Sequence, residues 1–398
     1  MNKIFKVEFY DEFSCIADRC SFTCCEGWEI IVDTDTYTKW KSSEKQSGYF
    51  SKNVKIKKDS KKTERYIKMG PHMCCPFLDE KGLCKIVIKC GEDCLSKTCK
   101  IFPRLENNYG DLKEYSLSCA CPAVVDKINS IDGKMKFLLD GEENSKDGIP
   151  SEYKIREAMI RIMQNSKFTL KDRILLVFNM LLFMKKELII TNENISKYQD
   201  EKYLLSLVDI WSGKEINNED SCKELNELFL DIVQNYKKVK NFSYYLKDIS
   251  DLAEDLKIEN SLTQWYKFKI EFGQYEKLIE NCIVSKIFSN CISDDIDEMI
   301  MSFQLVITEY VMVKYSTFLI WLRNEIVCND SQLICENNDA SSQQPHNVKK
   351  KIDYSDIRDY IVIYTRIIGY NADGIREFWE DSFDEAVWEF GYMLFLID

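Results

Sequence analysis

The residues of this chain best equipped for chemistry are its cysteines. Twelve of 17 lie within the first 121 of 398 residues. They form three groups: Cys15, Cys20, Cys24 and Cys25; Cys74, Cys75, Cys84, Cys90, Cys94 and Cys99; and Cys119 with Cys121. Thiols at this density imply disulfides, a metal ion or a metal–sulfur cluster. Only two histidines, His72 and His346, are present, so His/Cys fingers and carboxylate–histidine sites are poorly supplied, and the lone His72 reads as a turn residue. Soft thiolates suit zinc, copper(I) and iron–sulfur clusters. Structural zinc usually takes paired C-x2-C hooks, and the chain has none. The adjacent pairs Cys24–Cys25 and Cys74–Cys75 are awkward for one zinc, because neighbouring side chains diverge. Iron–sulfur ligation tolerates irregular spacing and often places proline after a ligand, as in Cys75-Pro76 and Cys121-Pro122. The radical-type motif C-x3-C-x2-C fails twice. Gly27 stands where the third cysteine should follow Cys20 and Cys24, and Cys99 comes too late after Cys90 and Cys94. The five later cysteines, Cys222, Cys282, Cys291, Cys328 and Cys335, read as ordinary buried thiols.

The elements that must position these thiols divide into two kinds. Residues 1–125 form a cysteine-rich module holding four of the six prolines, and a turn-rich segment of this kind is usually organised by what it binds. Short strands are predicted at Trp28–Val32 and Leu83–Ile88, and a helix at Thr34–Trp40. The Lys/Ser-rich stretch 41–65 reads as an exposed loop. Residues 126–150, with Gly133, Gly141, Gly148 and Pro150, read as a connector that starts with a short helix. From Ser151 to Asp398 the apolar periodicity is helical. Thr169 and Asp172 are placed as a capping box ahead of an apolar run. The polar stretch 329–351 reads as a disordered loop. The expected fold class is therefore mainly α: a small irregular cysteine-rich α+β metal module (1–125), a connector (126–150) and a multi-helix domain (151–398).

Charge narrows the partners. The net charge is −12, made up of +3 over residues 1–125 and −15 over the remainder. That balance argues against nucleic acid, whose phosphates reward a basic surface. Met1–Glu12 has no signal-peptide pattern. The apolar runs Ile174–Met184 and Met299–Leu322 are too short, or carry Glu309 and Lys314, so both read as buried helices and not membrane spans. A cytoplasmic protein is expected, and in a reducing compartment clustered cysteines favour metal over disulfides. No G-x-G-x-x-G follows a strand and glycines number only 14, which disfavours a Rossmann-type nucleotide site.

One ordered set of motifs goes further. Phe13–Trp40 reads FSCIADRCSFTCCEGWEIIVDTDTYTKW. It is followed by Cys75-Pro76-Phe77-Leu78, GLCKI at 82–86, LSKTCKIFPR at 95–104 and SLSCACP at 116–122. This set resembles the flagellin lysine N-methylases, the FliB-like proteins with a clustered-cysteine metal-chelating module. The resemblance implies methyl transfer from S-adenosylmethionine to lysine ε-amino groups of flagellin. It also implies an iron–sulfur cluster, 4Fe-4S in type with zinc as the alternative, without a radical motif. Cys20, Cys24, Cys25, Cys75, Cys84, Cys99 and Cys121 fall on family motif positions and are the candidate metal ligands. Cys15 precedes the motif, and Cys74, Cys90, Cys94 and Cys119 are extra. Trp28 and Arg104 are the candidate cofactor-binding residues, with Tyr37, Trp40 and Phe77 nearby in sequence. A guanidinium can hold a carboxylate bidentately, which singles out Arg104. No catalytic residue is assigned. Two other readings stand beside this one: a non-enzymatic zinc- or iron-stapled interaction module, and a redox or iron-handling protein.

Overall fold

The computed structural model describes all residues except 1–2, 44–47, 59–62, 110–111, 141–150, 188, 215, 235, 238–239, 336–350, 371–372 and 384. The fold is mainly α. Among the described residues its strands all lie in the first 140: β1 (Lys3–Val7), β2 (Val54–Lys58), β3 (Thr63–Ile67), β4 (Arg104–Tyr109), β5 (Leu112–Leu117) and β6 (Phe137–Asp140). Four of them form a sheet of order β4-β5-β1-β6. β4 and β5 are an antiparallel hairpin, β1 runs parallel to β5 with Lys3 opposite Leu112, and β6 closes the sheet antiparallel to β1. β2 and β3 pair separately as an antiparallel ribbon.

The Lys/Ser-rich stretch 41–65, expected as a loop, instead contains the Tyr49–Lys52 helix and the β2–β3 ribbon. Its few apolar residues decide this. Phe50 and Val54 of the stretch, with Ile67 just beyond it, are buried in a small core with Ile30, Val32, Trp40, Cys75, Phe77 and Ile86. The rings of Trp40, Phe50 and Phe77 meet there at 5.4 to 5.8 Å. The expected strand at Leu83–Ile88 is a helix, Lys85–Cys90. The chain turns at Cys84, where the amide of Lys85 donates to the Phe77 carbonyl at 2.7 Å. Turning buries Ile86 and leaves Ile88 outside, so tertiary packing overrides the β-branched run. Trp28–Val32 forms no full strand, but it borders β3 through a bridge between Ile31 and Tyr66. The predicted helix is present as Thr34–Ser43.

The helical part follows its sequence pattern closely. Thr169 caps the Leu170–Lys186 helix, its hydroxyl accepting from the Asp172 amide at 3.1 Å. The Ile296–Cys335 helix runs through the centre, against the Leu170–Lys186, Glu276–Asn290 and Tyr354–Tyr370 helices. One stretch, Ile296–Val327, is long and apolar enough to cross a membrane, and its most apolar part is 94% buried within the protein. Two sets of buried charges inside this core are paired, as an isolated buried charge would be costly. Arg173 donates to Glu276 and Glu280 at 2.6 Å each, and Lys286 pairs with Glu309. Residues 329–335 continue the long helix, and the rest of the expected disordered loop lies outside the described residues, apart from Lys351. A continuous apolar core joins Val7, Phe22, Leu117 and Val124 of the N-terminal segment to helical residues as far as Ile397.

Candidate thiolate centre

Five segments bring the N-terminal thiols together. The first is the Phe13–Gly27 loop, anchored by Phe22, which packs on Phe242 and Tyr245 at 5.9 and 5.5 Å between ring centres. Gly27 ends this loop at φ +89°, where a Cβ would come within 2.6 Å of the Phe242 ring. Both the left-handed backbone and the close approach require glycine there. The second is the turn Met73–Cys75. The Gly27 amide donates to the Met73 carbonyl at 3.1 Å, and the Cys75 amide to the Cys25 carbonyl at 2.8 Å. The two adjacent-cysteine pairs are thereby laid side by side. The third is Cys84, at the turn before the Lys85–Cys90 helix. The fourth is the Lys97–Ile101 helix, whose Ser96 cap accepts from the Cys99 amide at 3.3 Å. The fifth is Cys121, at the N-terminus of the Pro122–Asn129 helix.

Arg366, missed by sequence reasoning, ties two of these segments to the helices. It lies on the Tyr354–Tyr370 helix, is 1% exposed and packs its guanidinium 4.5 Å from the Phe22 ring centre. It donates to the Thr23 carbonyl at 2.7 Å, to Phe22 at 3.3 Å, and twice to Ala120 at 2.9 and 3.0 Å. One cation thus positions the backbones that carry Cys20, Cys24, Cys25 and Cys121. The signal for it was a single arginine inside the apolar run IVIYTRII.

The thiols form one interacting group. Cys25 hydrogen-bonds with Cys24 and Cys75 and feels Cys84. Cys24 also influences Cys20, Cys99 and Cys121. All seven motif cysteines are therefore linked, with Cys24 at the crossing point and partly open to solvent. Burial pushes the Cys99 and Cys121 thiols up to about 12 and raises Cys20. Cys24 is raised by its hydrogen bond with Cys25. Cys25 is pulled down by Cys24 but raised overall by Cys75 and burial. Such thiols stay protonated unless a bound cation compensates the thiolates.

Among the described residues, no three Cys, His, Asp or Glu side chains are arranged as a ready-made metal site. The donor set is nevertheless of the right type for a soft metal or cluster, since thiols from five segments are gathered within electrostatic reach of one another. A second observation points the same way. Glu26, between Cys25 and Gly27, is 3% exposed and has a carboxylate oxygen without a hydrogen-bond partner. A buried carboxylate oxygen left like this could accept from a further donor or face a cation.

The other candidates have structural surroundings. Trp28 lies beside the thiols, donating to the Cys24 carbonyl at 2.7 Å and packing on Phe102. Arg104 donates to the Phe13 carbonyl at 3.1 Å and packs on the Phe13 ring. Trp40 and Phe77 are fully buried in the small core, and Tyr37 faces Lys41 and Arg65. Cys15 approaches the group only through Cys20. Cys90 is exposed, while Cys94 packs at the edge of the small core and its carbonyl accepts from Trp40. Cys119 points away from the group and hydrogen-bonds with Cys282 on the Glu276–Asn290 helix.

Comparison with known proteins bears on the family of the chain. Residues 156–396 match the FliB lysine N-methylase C-terminal domain. The flagellar biosynthetic protein FliU of Salmonella muenchen is 35% identical over 123 residues, which is 30% of this chain and 73% of that protein. A lysine-N-methylase of Salmonella typhimurium strain LT2 is 33% identical over 123 residues, 30% of this chain and 31% of that protein. The match to the lysine-N-methylase thus spans about a third of its length. No solved structure matches the chain. With its helical part matched by the family domain and a further match to curated relatives, the chain belongs to the FliB lysine N-methylase family.

Proposed function

We propose that this chain is a protein-lysine N-methyltransferase that uses S-adenosylmethionine and an iron–sulfur cluster, with flagellin as its substrate. The observation that carries the reading is the gathering of seven motif cysteines around Cys24 in a member of this family. The cluster would be held by thiolates drawn from Cys20, Cys24, Cys25, Cys75, Cys84, Cys99 and Cys121. When bound, it would supply a redox-capable metal centre, and an iron not fully ligated by thiolates could bind the donor end of a small molecule. Trp28 borders the thiols, donating to the Cys24 carbonyl, and offers an aromatic face that could receive a sulfonium cation.

The reaction is a displacement. The lysine nitrogen forms a bond to the methyl carbon as the carbon–sulfur bond breaks, and its electron pair stays on sulfur. The ammonium must first lose a proton, which burial of the target side chain promotes. Alignment of nitrogen, carbon and sulfur can supply much of the rate. On this reading the protein works in the cytoplasm, where it would meet both the methyl donor and a substrate not yet exported.

The test joins two measurements. Protein purified without oxygen should be brown and carry iron and sulfide, and co-expression with flagellin should add mass in steps of one methylene on lysine. Cys25→Ser should lose both. A colourless, zinc-loaded protein that leaves flagellin unmodified would overturn the reading and favour a zinc-stapled interaction module.

A further inference from the structure

Two thiols outside the motif group meet in the core. Cys119 lies in the turn between β5 and the Pro122–Asn129 helix, and Cys282 lies on the Glu276–Asn290 helix. That helix packs against both elements flanking Cys119, and the two thiols hydrogen-bond to each other. Both residues are buried, at 2% and 4% exposed. Cys282, an ordinary buried thiol by its sequence, is therefore half of a pair.

Each side of the pair is held by bonds that do not involve sulfur. Beside Cys119, the Ser118 amide donates to the Pro103 carbonyl at 2.8 Å and the Ala120 amide to the Ser118 hydroxyl at 3.2 Å, while Arg366 clamps the Ala120 carbonyl. Beside Cys282, Asn281 donates to the Gly133 carbonyl at 3.4 Å, and two turns on the Phe288 carbonyl accepts from Arg156. Reacting groups held together in this way behave as if at very high concentration.

The pair is also reachable. A cavity of 390 Å³ lies between the β4–β5 hairpin and the helices, and Cys119 lines it. The cavity reaches the surface at Asn290, which is exposed, and at Arg376, about a third exposed. Its charged groups are already paired, Lys286 with Glu309 and Arg376 with Glu298, which leaves the thiol as the reactive group of the wall. Cys282 is not part of the lining, so a small solute entering this way meets Cys119 first.

We propose that Cys119 and Cys282 are a redox pair that takes hydrogen peroxide, the smallest peroxide, as its oxidant. The Cys119 sulfur attacks one peroxide oxygen as the O–O bond breaks. The thiol becomes a sulfenic acid, and the departing oxygen leaves as water with the thiol proton. The Cys282 sulfur then attacks the Cys119 sulfur. The S–S bond forms, the S–O bond breaks, and the hydroxyl leaves as water with the Cys282 proton. One peroxide is reduced to two waters, and two thiols are oxidised to one disulfide. A dithiol reductant reverses the link, as a transient disulfide of a reducing compartment requires. The pair stands whether or not the chain is a methyltransferase.

The experiment treats the full chain, purified without oxygen, with hydrogen peroxide, then alkylates, digests and reads it by mass spectrometry. The tryptic peptides 114–127 and 278–286 should appear joined, with fragmentation placing the link on Cys119 and not on Cys121, and dithiothreitol should release them. Cys282→Ala should leave Cys119 as a sulfenic acid that dimedone traps. Ser302→Phe, which fills the cavity and keeps both thiols, should slow the link at least tenfold. Wild type that is oxidised at its other cysteines without a Cys119–Cys282 link would overturn the proposal. So would a Ser302→Phe chain that forms the link as fast as wild type.

Discussion

At the scale of single residues, Arg366 carries the most consequence. Its planar fork reaches carbonyls on two loops from inside a helix, and hydrogen bonds to a charged donor contribute about 1.5–3 kcal/mol each in favourable settings. A lysine keeps the charge but offers a point ammonium on a flexible stem. Arg366→Lys should therefore cost about 2–4 kcal/mol in denaturant unfolding and lower the iron retained per chain. Equal stability and iron content in the variant would show that charge alone, and not the fork geometry, holds the cysteine loops. The same residue shows what sequence reasoning can miss. A buried arginine inside IVIYTRII is visible, but its partners Thr23 and Ala120 lie hundreds of positions away.

At the scale of elements, a buried ion pair ties the sheet to the helices. Glu114 on β5 accepts from both terminal nitrogens of Arg156 on the Ser151–Met163 helix, and Arg156 also donates to the Phe288 carbonyl at 2.8 Å. Both side chains are almost fully buried. Removing one partner strands the other charge, so Arg156→Leu should destabilise the protein by about 3–5 kcal/mol, and adding Glu114→Leu should restore most of that loss. A double variant no more stable than the single one would mean that the pair does not act through charge compensation. Elements also show where the sequence was legible. Helices such as Leu170–Lys186 announce themselves by apolar spacing and a Thr169 cap. The β2–β3 ribbon was hidden because Lys55, Lys57 and Lys58 dominate its composition and only Val54 and Ile67 are deeply buried. The short Lys85–Cys90 helix was hidden because its residues favour strands, and only the turn at Cys84 redirects them. Of the candidate site, the motif cysteines could be named from spacing and resemblance. The roles of Glu26 and Arg366 could not, because each depends on contacts between distant segments.

At the scale of the whole molecule, two cores of unequal size divide the stability. The large core runs from Val7 to Ile397 and needs no ligand to bury its side chains. The small core has nine buried residues, between Ile30 and Ile86, and one of them is Cys75. So small a core contributes little on its own, and a bound metal centre adds its binding free energy to folding. Stripping metal from the protein should therefore loosen the small core first. Hydrogen exchange followed by mass spectrometry would read this directly. After anaerobic chelation, peptides covering β3 and the Lys97–Ile101 helix should exchange faster by at least tenfold, while those from the Leu170–Lys186 helix keep their protection. Arg366 lies at the junction, so exchange should also rise around residues 22–26 and 118–121, where it holds the carbonyls of Phe22, Thr23 and Ala120. Uniform loosening of both cores would show that the thiol centre and the helices unfold as one unit. Unchanged exchange everywhere would show that the thiols hold their fold without metal, and the case for a cluster as a structural organiser would fail.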